Sequence, residues 1–241
     1  MAIPLTDVRA QYAPLLDELK DRIAEVLDSG SFILGPEVKA FEEEAARFLG
    51  AGDAVGVANG TDALVIVLDA LGVGPGDEVI CPAFTFYATA ESIARRGATP
   101  VFADIDPATM NLDVASVAGK ITERTRAIMP VHLFGRVAPL AELAGLGVPI
   151  VEDAAQAFGA EGIATTGVAS TFSFFPTKNL FALGDGGLVA VTDTELGDTI
   201  RMLRFHGSRA KKEFEYVGYN SRLDALQAAM LRVLLPRVDA W

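Results

Sequence analysis

From Ala54 to Ala155 the chain repeats one pattern: a short apolar, β-branched run, then a stretch with helical periodicity. "AVGVA" reads as a strand and "TDALVIVLDAL" as a helix. The pair recurs in "DEVICP" and "YATAESIARRG", in "TPVFADI" and "DVASVAGKI", and in "RAIMPVHLF" and "LAELAGL", before "PIVEDAA" adds a further strand. Strands apolar on both faces and separated by helices form a mostly parallel sheet with both faces covered. The expected fold is α/β, a three-layer α/β/α sandwich around a mostly parallel central sheet. A period near 3.6 predicts an opening helix from Asp7 to Leu27 and a second, "EVKAFEEEAARFLGA", ending at Gly50. "ASTFSFF" and "GGLVAVT" read as two more strands and "TELGDTIRMLRFHG" as a helix. "SRLDALQAAMLRVLLPRVDAW" is predicted as a helix interrupted or ended near Pro236. The parts are a helical segment about 1–50, an α/β core about 51–220 and a helix about 221–241, with no linker between them.

Composition narrows the function classes. At 241 residues and 51% hydrophobic content, the chain suits one large domain, or one domain and a fragment of another. A net charge of −12 argues against nucleic acid as a partner, because a phosphate backbone selects a basic face. No apolar run of roughly 18 residues indicates a membrane span, and the N-terminus lacks the pattern of a signal peptide. One cysteine, Cys81, rules out an internal disulfide and points to a reducing cytoplasm. The two histidines, His132 and His206, have no zinc-type spacing with it, so no metal is expected.

In open α/β sheets ligands bind at the carboxyl ends of the strands, and four features fall there. "VANGTDAL" runs from a strand into a helix at Asn59-Gly60-Thr61, where free N–H groups favour an anion; an ordinary N-cap after a tight turn would look the same. Asp153 ends the strand of "PIVEDAAQAFGA". It is either another N-cap or an anion set against a cationic ligand nitrogen, with Gln156 three residues on to bond a neighbouring oxygen. Lys178 lies in "FSFFPTKNLFALGDGG" after Ser173. It either snorkels to water or, hemmed in by Phe172, Phe174, Phe175, Leu180 and Phe181, is desolvated into the neutral amine that a nucleophilic lysine needs. Phe84, Phe86 and Tyr87 of "PAFTFYAT" are core aromatics or a flat wall for a planar ring.

Neither glycine cluster, "LGVGPGD" or "GDGG", follows a strand and opens a helix, so neither is a dinucleotide fingerprint. Arg201, Arg204, Arg209, Lys211 and Lys212 form a basic run. It reads as a solvated face or, alternatively, as a dock for an anionic substrate.

Taken together, the four features describe one ligand. They offer an anion site at a helix head, a carboxylate for a ring nitrogen, a flat wall and an amine that condenses with a carbonyl. Pyridoxal phosphate needs all four. The stretches "GSFILGPEVKAFE", "ANGTDAL", "CPAFTFYATA", "PVFADIDPATMNLD", "PVHLFG", "VEDAAQAFGA", "FSFFPTKNL", "GDGG" and "GYNSRLDALQAAML" occur in order over nearly the whole chain. With them the sequence resembles the sugar aminotransferases of the DegT/DnrJ/EryC1/StrS family, fold-type I pyridoxal-phosphate enzymes.

The resemblance implies roles. Lys178 would be the Schiff-base lysine and proton shuttle, Asp153 would pair with the pyridine nitrogen, and Gln156 would bond the ring hydroxyl oxygen. Ala155 and Phe86 would pack on opposite ring faces, and Gly60, Thr61, Asp62 and Ser173 would surround the phosphate. Asn220 would reach the phosphate of a neighbouring subunit, which implies a homodimer with shared active sites. The implied reaction is ping-pong transfer of an amino group from glutamate to a keto group of a nucleotide-linked deoxysugar. Relatives that dehydrate sugars carry His where this chain has Lys178, so lysine favours amino transfer, and "NSRLD" leans towards amination at carbon 3. Family members continue beyond "LPRVDAW" into a smaller C-terminal domain, so the chain is expected to be the cofactor-binding large domain. The alternative is a non-catalytic or regulatory pyridoxal-phosphate-binding protein.

Overall fold

The computed structural model describes residues 6–210 and 212–241. Seven strands form the centre: β1 (Asp53–Val57), β2 (Glu78–Pro82), β3 (Thr99–Ala103), β4 (Thr125–Ile128), β5 (Val151–Asp153), β6 (Ala169–Ser173) and β7 (Gly187–Val191). They pair as a four-stranded ladder, β1-β7-β6-β5, and a three-stranded ladder, β3-β2-β4. Parallel bridges from Ile128 to Ile150 and from Val131 to Asp153 join the two. The strand order is therefore 1-7-6-5-4-2-3. The pairs β2–β3, β2–β4 and β5–β6 are parallel, while β7 runs antiparallel to both β1 and β6.

Strand period two sorts the apolar residues into layers. On one face Ala54, Phe172, Phe174, Leu188 and Ala190 pack under α2 (Leu16–Ser29), α3 (Pro36–Leu49) and α9 (Ala225–Leu234). On the other, Val55, Val57, Val189 and Val191 pack under α4 (Gly60–Ala70), α5 (Tyr87–Arg95) and α8 (Thr194–Arg204). A third cluster joins Ile80, Ala103 and Ile128 to α6 (Val114–Ala118) and α7 (Leu140–Ala144). This is the three-layer arrangement expected from the alternation.

The opening helix is broken. α1 (Val8–Tyr12) passes through a 3₁₀ turn at Ala13–Leu15, which holds Pro14, before α2 begins. β4 stops short of the predicted run because Pro130 has no N–H to continue the ladder; its carbonyl still accepts the Asp153 N–H at 2.9 Å. Helix α9 begins at Ala225, four residues later than the pattern suggested. Ser221 is held out of it: its N–H donates to the Arg204 carbonyl at 3.0 Å, and its Oγ accepts the Ala58 N–H at 3.1 Å. α9 ends at Leu234, and Pro236 lies in a 3₁₀ turn.

The basic run divides: Arg209 and Lys212 are exposed, as a solvated face would have them, whereas Arg201 and Arg204 are structural. Arg201 donates to Asp53 and the Ala54 carbonyl, and Arg204, buried, donates to Glu42 and the Gly56 carbonyl. These pairs tie α8 to β1 and α3. Arg209 lies 3.7 Å from Glu215, Lys212 is exposed, and Lys211 lies outside the described residues. Among the described residues no helix is long and apolar enough to cross a membrane.

Candidate active site

The carboxyl ends of β1, β5 and β6 open onto one cavity of about 490 Å³. It is lined by Gly60, Thr61, Phe86, Asp153, Ala155, Gln156, Ser173 and Lys178 among others. Eight of the expected residues thus meet in one place. Asp62 and Asn220 do not line it. The Asp62 N–H is taken by Asn59 Oδ1 at 2.8 Å, and Asn220 borders an adjoining depression beside Arg222 and Asp224. Phe84 and Tyr87 are 48% and 73% exposed and lie outside the cavity, so only Phe86 of the three aromatics contributes to its wall.

The head of α4 presents open donors to the cavity. Asn59 caps the helix through Asp62, and the Ala63 N–H bonds the Asn59 carbonyl. Among the described residues the N–H groups of Gly60 and Thr61 have no protein acceptor and stand at the positive end of the helix. Gly60 is required by space: a Cβ there would lie 2.7 Å from the Ser173 Cβ and 3.2 Å from its Cα. The missing side chain lets the Ser173 hydroxyl stand beside these donors.

Asp153 forms the floor and is 5% exposed. Burial pushes its carboxyl above the usual range, against the pull of donors and cations around it. Thr89 Oγ1 donates to Asp153 Oδ2 at 2.7 Å, and the Ala155 N–H reaches Oδ1 at 3.3 Å. Behind it lies a second buried carboxylate, Glu152. Burial raises its pKa, but His132 Nε2 at 2.9 Å and the N–H groups of Gly167 and Ala164 outweigh that and hold it below its ordinary value. His132 Nδ1 accepts the Ala138 N–H at 3.0 Å, so Nε2 carries the ring hydrogen towards Glu152.

Lys178 stands at the mouth, on the loop between β6 and β7. The residues expected to bury it divide into two groups. Phe172, Phe174, Leu180 and Phe181 are fully buried, whereas Phe175 is 49% exposed and Lys178 is half-buried. The loop leaves the carboxyl end of β6 after Ser173, with some of its side chains turned into the core and others to the surface. Burial still lowers the Lys178 pKa, with Asp153 pulling the other way. Gln156 is oriented by the Phe134 N–H, which donates to its Oε1 at 2.7 Å.

Thr89 and Thr85 escaped the sequence reading. Thr85 precedes α5 and Thr89 lies in its first turn, so no helical spacing relates the two in the sequence.

Comparison with known proteins supplies independent findings. Residues 15–241 match the model of the DegT/DnrJ/EryC1/StrS aminotransferase family. The chain is 49% identical to a "Pleiotropic regulatory protein" of Geobacillus stearothermophilus, covering 100% of this chain and 67% of the relative. It is 48% identical to the UDP-N-acetyl-3-dehydro-α-D-glucosamine 3-aminotransferase of Acidithiobacillus ferrooxidans, with 100% and 67% covered. Among solved structures it resembles Streptomyces venezuelae DesV, determined in complex with a ketimine intermediate. The TM-score is 0.95 and the identity 46%, over 99% of this chain and 67% of that one. The chain thus spans about two-thirds of the length of these relatives.

Proposed function

We propose, for a chain that belongs to the DegT/DnrJ/EryC1/StrS aminotransferase family, that it is the pyridoxal-phosphate-binding large domain of a nucleotide-sugar aminotransferase. Glutamate is the proposed amino donor, and a keto group of a nucleotide-linked deoxysugar the acceptor. The two visit the site in turn. The observation that carries this reading is that Lys178 and Asp153 face one cavity whose third corner is the open head of α4.

The residues fit the cofactor. The gap kept by Gly60 suits a phosphate between the Gly60 and Thr61 N–H groups and the Ser173 hydroxyl. A buried carboxylate with a raised pKa is stabilised as an anion by a cationic ring nitrogen. The amide hydrogens of Gln156, left over once Oε1 has accepted from Phe134, can donate to a ring oxygen. Ala155 and Phe86 supply the apolar wall. Bound there, pyridoxal phosphate supplies an electron-accepting ring and a carbon that carries the amino group.

The chain's own work is then proton handling and orientation. Lys178 Nζ, biased towards the neutral amine by burial, takes the proton from the donor's α-carbon and returns one to the sugar carbon that is aminated. Lysine at this position favours amino transfer over dehydration, and carbon 3 is the favoured site. Asn220 is proposed to serve the cavity of a second copy, making a homodimer with shared sites. It is exposed, stands outside its own cavity, and has Oδ1 occupied by Arg222, which leaves its amide hydrogens to donate.

Pyridoxal phosphate followed by borohydride should fix the cofactor on Lys178, read by peptide mass. A Lys178→Ala protein with the same bound-cofactor absorbance would refute the assignment. The name of the Geobacillus relative favours a second reading, a regulatory binder without turnover. Conversion of the bound cofactor to its amine form by glutamate alone decides against it.

A further inference from the structure

Thr89 has no exposed surface and sits in the first turn of α5. Its Oγ1 donates to Asp153 Oδ2 at 2.7 Å and lies 2.8 Å from Thr85 Oγ1. Thr85 lines the cavity; Thr89 does not. A hydroxyl has one hydrogen to give. Once Thr89 spends it on the carboxylate, the Thr85–Thr89 contact can only run with Thr85 as donor. If Asp153 carries a proton on Oδ2, both directions reverse: Asp153 donates to Thr89, Thr89 to Thr85, and the Thr85 hydrogen turns to the cavity. The chain therefore has two ordered states, selected by the charge at its inner end.

We propose that Thr85 and Thr89 form a two-hydroxyl chain that orients Asp153 and presents its carboxylate to the cavity as a hydrogen-bond acceptor. Both are positioning residues, and the inference rests on the reading that Asp153 faces the cofactor's ring nitrogen. The other titratable groups near Asp153 do not replace the hydroxyls. Cys81 on β2 is a buried thiol pushed up to about 12, so it offers no anion. His132 gives its ring hydrogen to Glu152, and Glu152 is saturated by its own donors. Lys178 and Asp185 line the same cavity, and among the described residues neither forms an ion pair with Asp153. The only direct donors to the Asp153 carboxylate among the described residues are thus Thr89 and the Ala155 N–H.

The test compares unsubstituted protein with Thr89→Val, Thr89→Ser and Thr85→Val. Pyridoxal-phosphate affinity is measured by absorbance titration between about pH 5 and about pH 9, and the thermal midpoint of cofactor-free protein over the same range. Thr89→Val should bind the cofactor about tenfold more weakly, with the acid-side midpoint of affinity moved to higher pH. Thr89→Ser should restore both, and Thr85→Val should shift the midpoint the same way by less. In cofactor-free protein the loss of thermal midpoint in Thr89→Val should grow from acid to alkaline pH, where the carboxylate is ionised and lacks its donor. A loss that is the same at every pH, with the affinity midpoint unmoved, would overturn the inference. If Thr89→Val does not fold, an unshifted Thr85→Val would overturn it instead. Failure of borohydride to fix cofactor in the unsubstituted protein would sink the underlying reading, while the cofactor-free pH series would still test the hydroxyl chain.

Discussion

The backbone N–H of Phe134 points at Gln156 Oε1 from 2.7 Å, and so determines which end of the amide faces the cavity. Phe134 reaches that position with φ of +57°, a left-handed conformation that a bulky residue seldom adopts. Its ring is 74% exposed and gains little from packing. Strain of this kind persists where surrounding structure imposes it. Here the Asp153 carbonyl, accepting the His132 N–H at 3.0 Å, pins the loop from one side.

Gln156→Glu should therefore weaken pyridoxal phosphate more than its size suggests. The carboxylate can accept from Phe134 but has no hydrogen for a ring oxygen, and it adds a second anion near Asp153. A loss of about tenfold or more in affinity is expected, measured by absorbance titration. Unchanged affinity would show that the amide hydrogens serve no bound group.

Gly60→Ala tests the proposed anion seat. The new Cβ meets the Ser173 Cβ at 2.7 Å, and the Ser173 Cα is backbone, which cannot swing aside. Overpacking of this kind costs about 1–3 kcal/mol. It should appear both as a lower denaturation midpoint and as weaker cofactor binding. Alanine at Gly72, where nothing lies within 4 Å but φ is +73°, should lower stability while leaving the affinity intact.

Cofactor affinity should fall on acidification. Burial sets Asp153 above the usual carboxylate range and Lys178 below the usual ammonium range. The bound state needs the carboxylate ionised and the amine free of its proton. Lowering the pH protonates both, Asp153 earlier than an ordinary aspartate would be. Titrations between about pH 8 and about pH 5 should show progressive weakening. Asp153→Asn should bind weakly throughout and lose the part of the slope due to Asp153. Constant affinity in the unsubstituted protein would contradict the assignment.

His132→Ala should destabilise the fold by about 1–3 kcal/mol at neutral pH, because it removes one buried donor from the Glu152 carboxylate while the Gly167 and Ala164 N–H groups remain. Glu152 is held below its ordinary value of 4.5 in the folded state. Its stabilising contribution is therefore present above that value and lost as the pH falls through its lower folded one. The His132→Ala penalty, measured by urea unfolding, should shrink in the same acid window. Glu152→Gln should also cost stability, because its NH2 group must face at least one of the N–H donors that the two carboxylate oxygens now accept.

The layers of the fold were legible because short strands apolar on both faces and period-3.6 helices alternate without interruption from Ala54 to Asp153. Boundaries were lost where a side chain or an imino ring intervenes, as at Ser221, whose hydroxyl is committed to Ala58, and at Pro130. In the candidate site, residues that end strands or open helices could be anticipated from the connection alone. The hydroxyls of Thr85, in the loop before α5, and Thr89, in its first turn, could not, because a threonine carries no charge or periodic mark to show what it touches. The ion pairs of Arg201 and Arg204 stayed hidden because their partners, Asp53 and Glu42, are about 150 residues away in sequence.

β7 runs against its neighbours, and so begins where they end. Gly187 lies opposite both Val57 and Ser173, and a Cβ on it would strike Asn59 at 2.5 Å. The segment that carries Lys178 thus leaves the sheet at Ser173 and re-enters it at the adjacent register position, without crossing a layer. Its ends are held together by the sheet, so ordering it requires little extra closure entropy. The loop is nonetheless part of the core: Leu180, Phe181 and Ala182 are fully buried in it, and the Leu183 N–H donates to Gln227 Oε1 at 2.9 Å, so the segment that carries Lys178 is fastened to the layer beneath it.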